Sequence, residues 1–147
     1  MFRHLLVPTD GSTLSAMAVK KAVAFAQETK ARITFFFATP NMESSLYGEV
    51  SLMRTLEPDL VDQLVNERAR DILEGAESVA KDASVPSASA CGVADEPYEG
   101  ILAAAAQHGC DIILMASHGR KGVKGLLLGS QTQKVLTHST IPVLVYR

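Results

Sequence analysis

Residues 115–132, MASHGRKGVKGLLLGSQT, combine the parts from which a phosphate site can be made. An apolar run from Asp111 to Met115 ends there, and a loop follows that holds Gly119, Gly122, Gly125 and Gly129. The loop closes on Gly129-Ser130, where a new helical pattern begins. Glycine lets backbone come close to a ligand. The first N–H groups of a helix lack internal partners, and the helix dipole adds partial positive charge at that end. Ser130 can cap the helix and also offer its hydroxyl to an anion, with the N–H groups of Gln131 and Thr132 in the first turn. A plain loop with an ordinary N-cap would use the same residues, so the pattern alone leaves both readings open. Arg120, Lys121 and Lys124 add positive charge, either as solvated loop surface or to neutralise a polyphosphate, and none is assigned individually.

A second stretch, Pro8-Thr9-Asp10-Gly11-Ser12, leaves the first predicted strand. Asp10 there suits an Asx-type turn. It equally suits a hydrogen bond to ribose or adenine, or a water-mediated metal contact, since Mg²⁺ keeps several waters and takes few carboxylates. His118 has no partner acid or nucleophile in the pattern and reads as a loop or packing residue. His4, His108 and His138 show no metal-ligand spacing, and Cys91 and Cys110 read as small buried apolar residues. No G-x-x-x-x-G-K-[ST] is present, and no G-x-G-x-x-G follows the first strand, which argues against a Walker-type NTPase and a dinucleotide dehydrogenase. The SGGxDS and HIGH signatures of architecturally related ATP pyrophosphatases and nucleotidylyl transferases are also missing.

These stretches need elements to position them. The 147 residues suit one domain, and 47% hydrophobic with 20% charged residues is an ordinary globular balance. A net charge of −2 does not suggest a nucleic-acid partner. Two widely separated cysteines and no membrane-length or signal-like apolar run lead us to expect a cytoplasmic protein with no membrane association.

Phe2 to Val7 reads as a buried strand. A helix capped by Ser12 or Thr13 runs to Glu28, with Leu14, Ala18, Ala22 and Phe25 on one face. Ala31 to Ala38 is β-branched and aromatic, hence a strand. Thr39 to Pro58 reads as a long loop without a firm helix, and loops of that length are often functional. Asp59 to Lys81 is a helix with Val61, Val65, Ala69, Ile72, Ala76 and Val79 as its buried stripe. Ser84 to Gly92, with Pro86 and small residues, reads as a strand near a sheet edge. Asp95 is expected to cap a helix with Pro97 in its first turn, Ile101, Leu102 and Ala105 facing inward, and Gly109 at its end. Asp111 to Met115, Ser130 to Thr137 and Ile141 to Tyr146 complete the order as strand, helix and strand. Strict alternation implies a parallel sheet covered on both faces, with ligands beyond the carboxyl ends of its strands.

The chain resembles the universal stress protein family over its whole length, through VPTDGS near the start, ASHGRKGVKGLLLGS, and the closing QKVLTHSTIPVLVYR. ATP-binding members of that family carry Gly, two residues, Gly, nine residues, then Gly with Ser or Thr. Gly119, Arg120 to Leu128, and Gly129-Ser130 match that pattern, and Ala116 stands at the first glycine position. The resemblance implies a three-layer α/β fold of the adenine nucleotide alpha hydrolase-like kind, a five-stranded parallel sheet of order 3-2-1-4-5 with helices on both faces. It implies ATP, with or without Mg²⁺, held by Pro8, Thr9, Asp10 and Ala38 on one side. On the other side stand Met115, Ala116, His118, Gly119, Arg120, Gly122, Gly129, Ser130, Gln131 and Thr132. It further implies a homodimer paired through the last strand and a sensor or regulator with at most slow ATP hydrolysis. The rival expectation is a nucleotide-free dimeric scaffold.

Overall fold

The computed structural model describes residues 1–40, 49–119 and 128–147. Its element order is β1 (His4–Pro8), α1 (Thr13–Thr29), β2 (Arg32–Pro40), α2 (Glu49–Leu56), α3 (Pro58–Asp82), β3 (Ser87–Ala94), α4 (Pro97–Gln107), β4 (Ile112–Ala116), α5 (Ser130–His138) and β5 (Val143–Tyr146). The strands form one parallel five-stranded sheet of order β3-β2-β1-β4-β5. The expected sheet order and the edge position of the small-residue strand are both found.

Successive side chains of a strand point to opposite faces, and here each face is covered. Leu5 and Val7 of β1, Ile33 and Phe35 of β2 and Leu114 of β4 pack beneath α1 and α3. Leu6, Phe36, Ile113 and Met115 pack on the other side beneath α4 and Val135 of α5. Leu5, Leu6, Phe35 and Ile113 are wholly buried. Side chains of this size each contribute about 1.5–3 kcal/mol when removed from water. The helix stripes lie as the spacing predicts: Ala18 and Ala22 in α1, and Val61, Ala69 and Ala76 in α3, are buried. Val19, Val23, Leu73 and Ala80 widen those stripes beyond the strict spacing.

Three of the helices end alike at the amino-terminal edge of the sheet. One residue turns into the left-handed region and the next N–H reaches back five residues. Lys30 (φ 55°), Ser84 (φ 56°) and Gly109 (φ 63°) are the left-handed residues. The bonds are Ala31 N–H to Ala26 O, Val85 N–H to Ala80 O and Cys110 N–H to Ala105 O, each 2.9 Å. This is the Schellman pattern, and the two residues joined by each bond belong to the same apolar cluster. Gly109 takes the expected terminal role.

Several local expectations are corrected. Part of the predicted loop from Thr39 to Pro58 is regular: β2 runs to Pro40 and α2 spans Glu49–Leu56. Leu52, Met53 and Leu56 of α2 are exposed, so these apolar residues form no buried stripe from which periodicity could reveal the helix. Residues 41–48 of that predicted loop lie outside the described residues. Asp95 does not occupy the cap of α4. Glu96 does, in extended conformation and without a side-chain cap bond. Cys110 is buried, but Cys91 is exposed, because edge strand β3 has no neighbour beyond it among the described strands.

Candidate functional site

Because β1 and β4 are neighbours, the loops that leave their carboxyl ends stand side by side. Each is fixed by its own hydrogen bonds. Gly11 takes φ 76°, a conformation that glycine adopts without strain, and so turns the chain from β1 into α1. Ser12 accepts from Ser15 N–H (3.2 Å) and caps α1. Ser15, buried, joins its hydroxyl to Thr9 Oγ1 (2.6 Å) and accepts from Asp10 N–H (3.2 Å). One Asp10 oxygen accepts from Ser12 N–H at 2.9 Å, an Asx turn. Thr9 N–H donates to Phe36 O (2.9 Å), tying the turn to β2. Thr9 therefore positions the loop, since its side chain is buried and spent on Ser15. Ser15 was missed in the sequence. The Ser-x-x-Ser spacing at Ser12 and Ser15, like that of a capping box, was the available signal.

On the other side, Ser117 is the hub. Its N–H donates to Tyr146 O (2.7 Å), its carbonyl accepts from Gly129 N–H (2.7 Å), and its hydroxyl pairs with His118 Nδ1 (3.1 Å). Thr132 Oγ1 donates to Ala116 O at 3.1 Å. These bonds hold the start of α5 against the end of β4. Gly129 is the N-cap, at φ −70° and ψ 156°, and no side chain caps α5. Ser130 is thus the first helical residue, exposed, and not the cap foreseen for it. The N–H groups of a first helical turn have no partner within the helix, and here no side chain caps them.

The two glycines are needed for room. A Cβ on Gly119 would overlap Oδ2 of Asp10, so the β4 loop lies directly against the Asp10 carboxylate. A Cβ on Gly129 would stand 3.1 Å from His118 Cα and 3.4 Å from Ser117 O. A side chain at Gly129 would therefore crowd the His118 and Ser117 backbone, which would have to give by a few tenths of an ångström.

Among the residues picked from the sequence, the fold brings together Pro8, Thr9, Asp10, His118, Gly119, Gly129 and Ser130 at one end of the sheet. Met115 and Ala116 line β4, buried. The Ala116 methyl belongs to the apolar cluster under α1 and α3, which explains how alanine is accommodated at the first motif position. Thr132 is buried and spent on Ala116. Gln131 turns its side chain away: its Oε1 accepts from Tyr98 N–H (2.9 Å) and satisfies an N-terminal donor of α4 that Glu96 leaves bare. The junction is reinforced by an ion pair between Lys134 and Glu96, which raises the Lys134 pKa, and by the stacking of Tyr98 on His138 (5.4 Å). Ala38 is half-buried near the end of β2. Arg120 and Gly122, with Lys121 and Lys124, lie outside the described residues. Among the described residues no cluster of three or more His, Cys, Asp or Glu could hold a metal, and no helix is long and apolar enough to cross a membrane.

A model of the Universal stress protein family matches residues 1–147. Universal stress protein YxiE of Bacillus subtilis (strain 168) is 34% identical over 153 aligned positions, covering 100% of both chains. Universal stress protein MJ0577 of Methanocaldococcus jannaschii is 30% identical, covering 100% of this chain and 96% of its own. The solved structure of MJ0577 superposes with a TM-score of 0.81 over 99% of this chain and 95% of that one. The fold is shared with two more distant structures. One is a universal stress protein in complex with cAMP (24% identity, TM-score 0.73, 99% and 97% covered). The other is a universal stress protein from Archaeoglobus fulgidus in complex with dAMP (13% identity, TM-score 0.68, 100% and 98% covered).

Proposed function

The chain belongs to the universal stress protein family, and we propose that it binds an adenine nucleotide, ATP foremost, between the β1 and β4 loops. The carrying observation is the closeness of Gly119 to Asp10, beside an α5 start that has no side-chain cap. In this reading the phosphates meet the first-turn N–H groups of α5 and the Ser130 hydroxyl. The ribose and adenine lie toward Asp10, Pro8 and Ala38. A bound Mg²⁺ would be held mainly by the phosphates and waters, with Asp10 as the nearby carboxylate. The complexes of more distant family members with cAMP and dAMP support an adenine nucleotide as the ligand class.

The proposed role is that of a sensor or regulator with at most slow hydrolysis. The whole chain would act as one domain that pairs with a second copy through the outer edge of β5, the last of the described strands. Light scattering should then give twice the 15.7 kDa chain mass.

The site is tested with Ser130→Asp. An acidic residue in the first turn favours the helix by about 0.3–1 kcal/mol through the dipole. The same charge repels phosphate. The expected result is an unchanged or raised melting temperature without ligand, and a loss of at least about tenfold in ATP affinity by calorimetry, equivalent to ~1.4 kcal/mol. If Ser130→Asp binds ATP as the parent chain does, phosphate does not sit at α5. If the parent chain shows no binding and no thermal shift with saturating ATP, the nucleotide-free scaffold is the better reading. ATP at a hundred times its dissociation constant would add about 2.7 kcal/mol to the folded state.

A further inference from the structure

Helix α2 carries its apolar face on the outside. Leu52, Met53 and Leu56 share one side of it, and all three are exposed, Leu52 by 64% and Leu56 by 71%. The pattern continues past the joint residue Glu57. Leu60 and Leu64, one turn apart in α3, are exposed as well. They are not the rim of the core stripe. Ala69 and Leu73, each nine positions further on and so about two and a half turns away, are buried, which puts the two leucines on the face of α3 opposite the core.

Helical bonding nearly bridges the joint. Glu57 N–H donates to Met53 O (2.7 Å) and Val61 N–H donates to Glu57 O (3.3 Å), with Pro58 between them offering no N–H. Among the described elements α3 is the main neighbour of α2. Single exposed leucines are ordinary, but five large apolar side chains at this spacing along two joined helices make a surface suited to a partner.

The charge beside this strip is of one sign. From Thr55 to Glu67 the sequence holds four carboxylates, Glu57, Asp59, Asp62 and Glu67, and no Lys or Arg. Glu57, Asp59 and Asp62 are exposed. Glu67 accepts from Gln63 Nε2 (2.8 Å), an amide that leaves its charge in place. The nearest cations in sequence are Arg54 and Arg68, and beyond them Arg70 lies 4.0 Å from Glu74.

We infer that the α2–α3 strip docks an amphipathic helix of another protein, one whose apolar face is flanked by Lys and Arg. Helices satisfy their backbone internally, so α2 and α3 offer side chains alone. A partner pressed against them must satisfy its own backbone, which a helix does and an extended segment does not. Leucines one turn apart also form the ridges between which a second helix packs. The carboxylates then select the partner. A second copy of this chain would bring them against their own equivalents across a two-fold axis, and an anionic membrane would meet them with like charge. Basic side chains at the margin of an incoming helix meet them with opposite charge.

The test follows a dye-labelled synthetic helix of Leu and Lys, with its leucines on one face, by fluorescence anisotropy as the full chain is added. Two control peptides carry the same residues in scrambled order, or Glu in place of Lys. The expected result is binding at least about tenfold tighter than that of either control, weakening as salt is raised. Leu60→Gln combined with Leu64→Gln should remove that preference at an unchanged melting temperature, because both sites face water. Glu57→Lys combined with Asp59→Lys keeps the leucines and should shift the preference from the Lys peptide toward the Glu peptide. Equal binding of the scrambled peptide, or a preference that survives in both variants, overturns the proposal. A fall in oligomeric mass in the Leu→Gln variant, read by light scattering, overturns it in favour of a second copy. Attachment of the parent chain to phosphatidylserine vesicles that the same variant loses overturns it in favour of a membrane.

Discussion

The two ends of the sheet are built from similar residue types and put them to opposite uses. At the amino-terminal edge, polar groups pair with one another within the protein: Asp111 accepts from the Arg3 and His4 amides, and His4 Nε2 pairs with Thr34. At the carboxyl edge, Ser12, Ser15, Ser117 and Thr132 fasten the two loops, while Ser130 is exposed and α5 begins without a side-chain cap. The unsatisfied remainder is what a ligand can use, since a donor already paired within the protein has little to offer an anion.

The glycines serve two purposes. Gly109 at the lower edge and Gly11 at the upper take positive φ, and Lys30 and Ser84 take a similar conformation without being glycine. At Gly119 a methyl group would strike Asp10, and at Gly129 it would crowd His118. A glycine in sequence thus carries two different meanings, and only its surroundings distinguish them.

The largest test of this contrast is Gly129→Val. A branched side chain must enter where even a single carbon would stand 3.1 Å from His118 Cα. The expected cost is about 2–3 kcal/mol of stability without ligand, measured by urea unfolding. A negligible cost would mean that the upper glycine is not held against the β4 loop. Thr34→Val comes next and breaks the lower end instead. It leaves the buried imidazole Nε2 without its hydrogen-bond partner and should cost about 1–2 kcal/mol at pH 7, with ATP affinity unchanged. A fall in ATP affinity at unchanged stability would show that the two ends are not separable. The smallest expected effect is a gain. Ser84→Gly removes the side chain from a left-handed turn, a strain of about 1–2 kcal/mol, against an entropic cost of about 0.5–1 kcal/mol for glycine. A net increase of roughly 0.5–1 kcal/mol is expected in the same unfolding assay. A loss there would show that Ser84 is held by something other than its turn geometry.

The sequence by itself determined the alternation of strands and helices and most helix stripes, and it marked the loop after β1 and the start of α5 as candidate positions for chemistry. These signals are local: apolar periodicity, β-branched runs and turn residues act within a few positions of the chain. The sheet order and the site list came from motif resemblance, since periodicity does not say which strands lie side by side. Only the tertiary structure decided that the Gln131 side chain satisfies α4, that the Ala116 methyl is buried away under α1, that a side chain at Gly129 would crowd His118, and that Cys91 is exposed while Cys110 is not. Each of these depends on a contact or an exposure set by elements distant along the chain, and such distances exist only once the strands have chosen their neighbours.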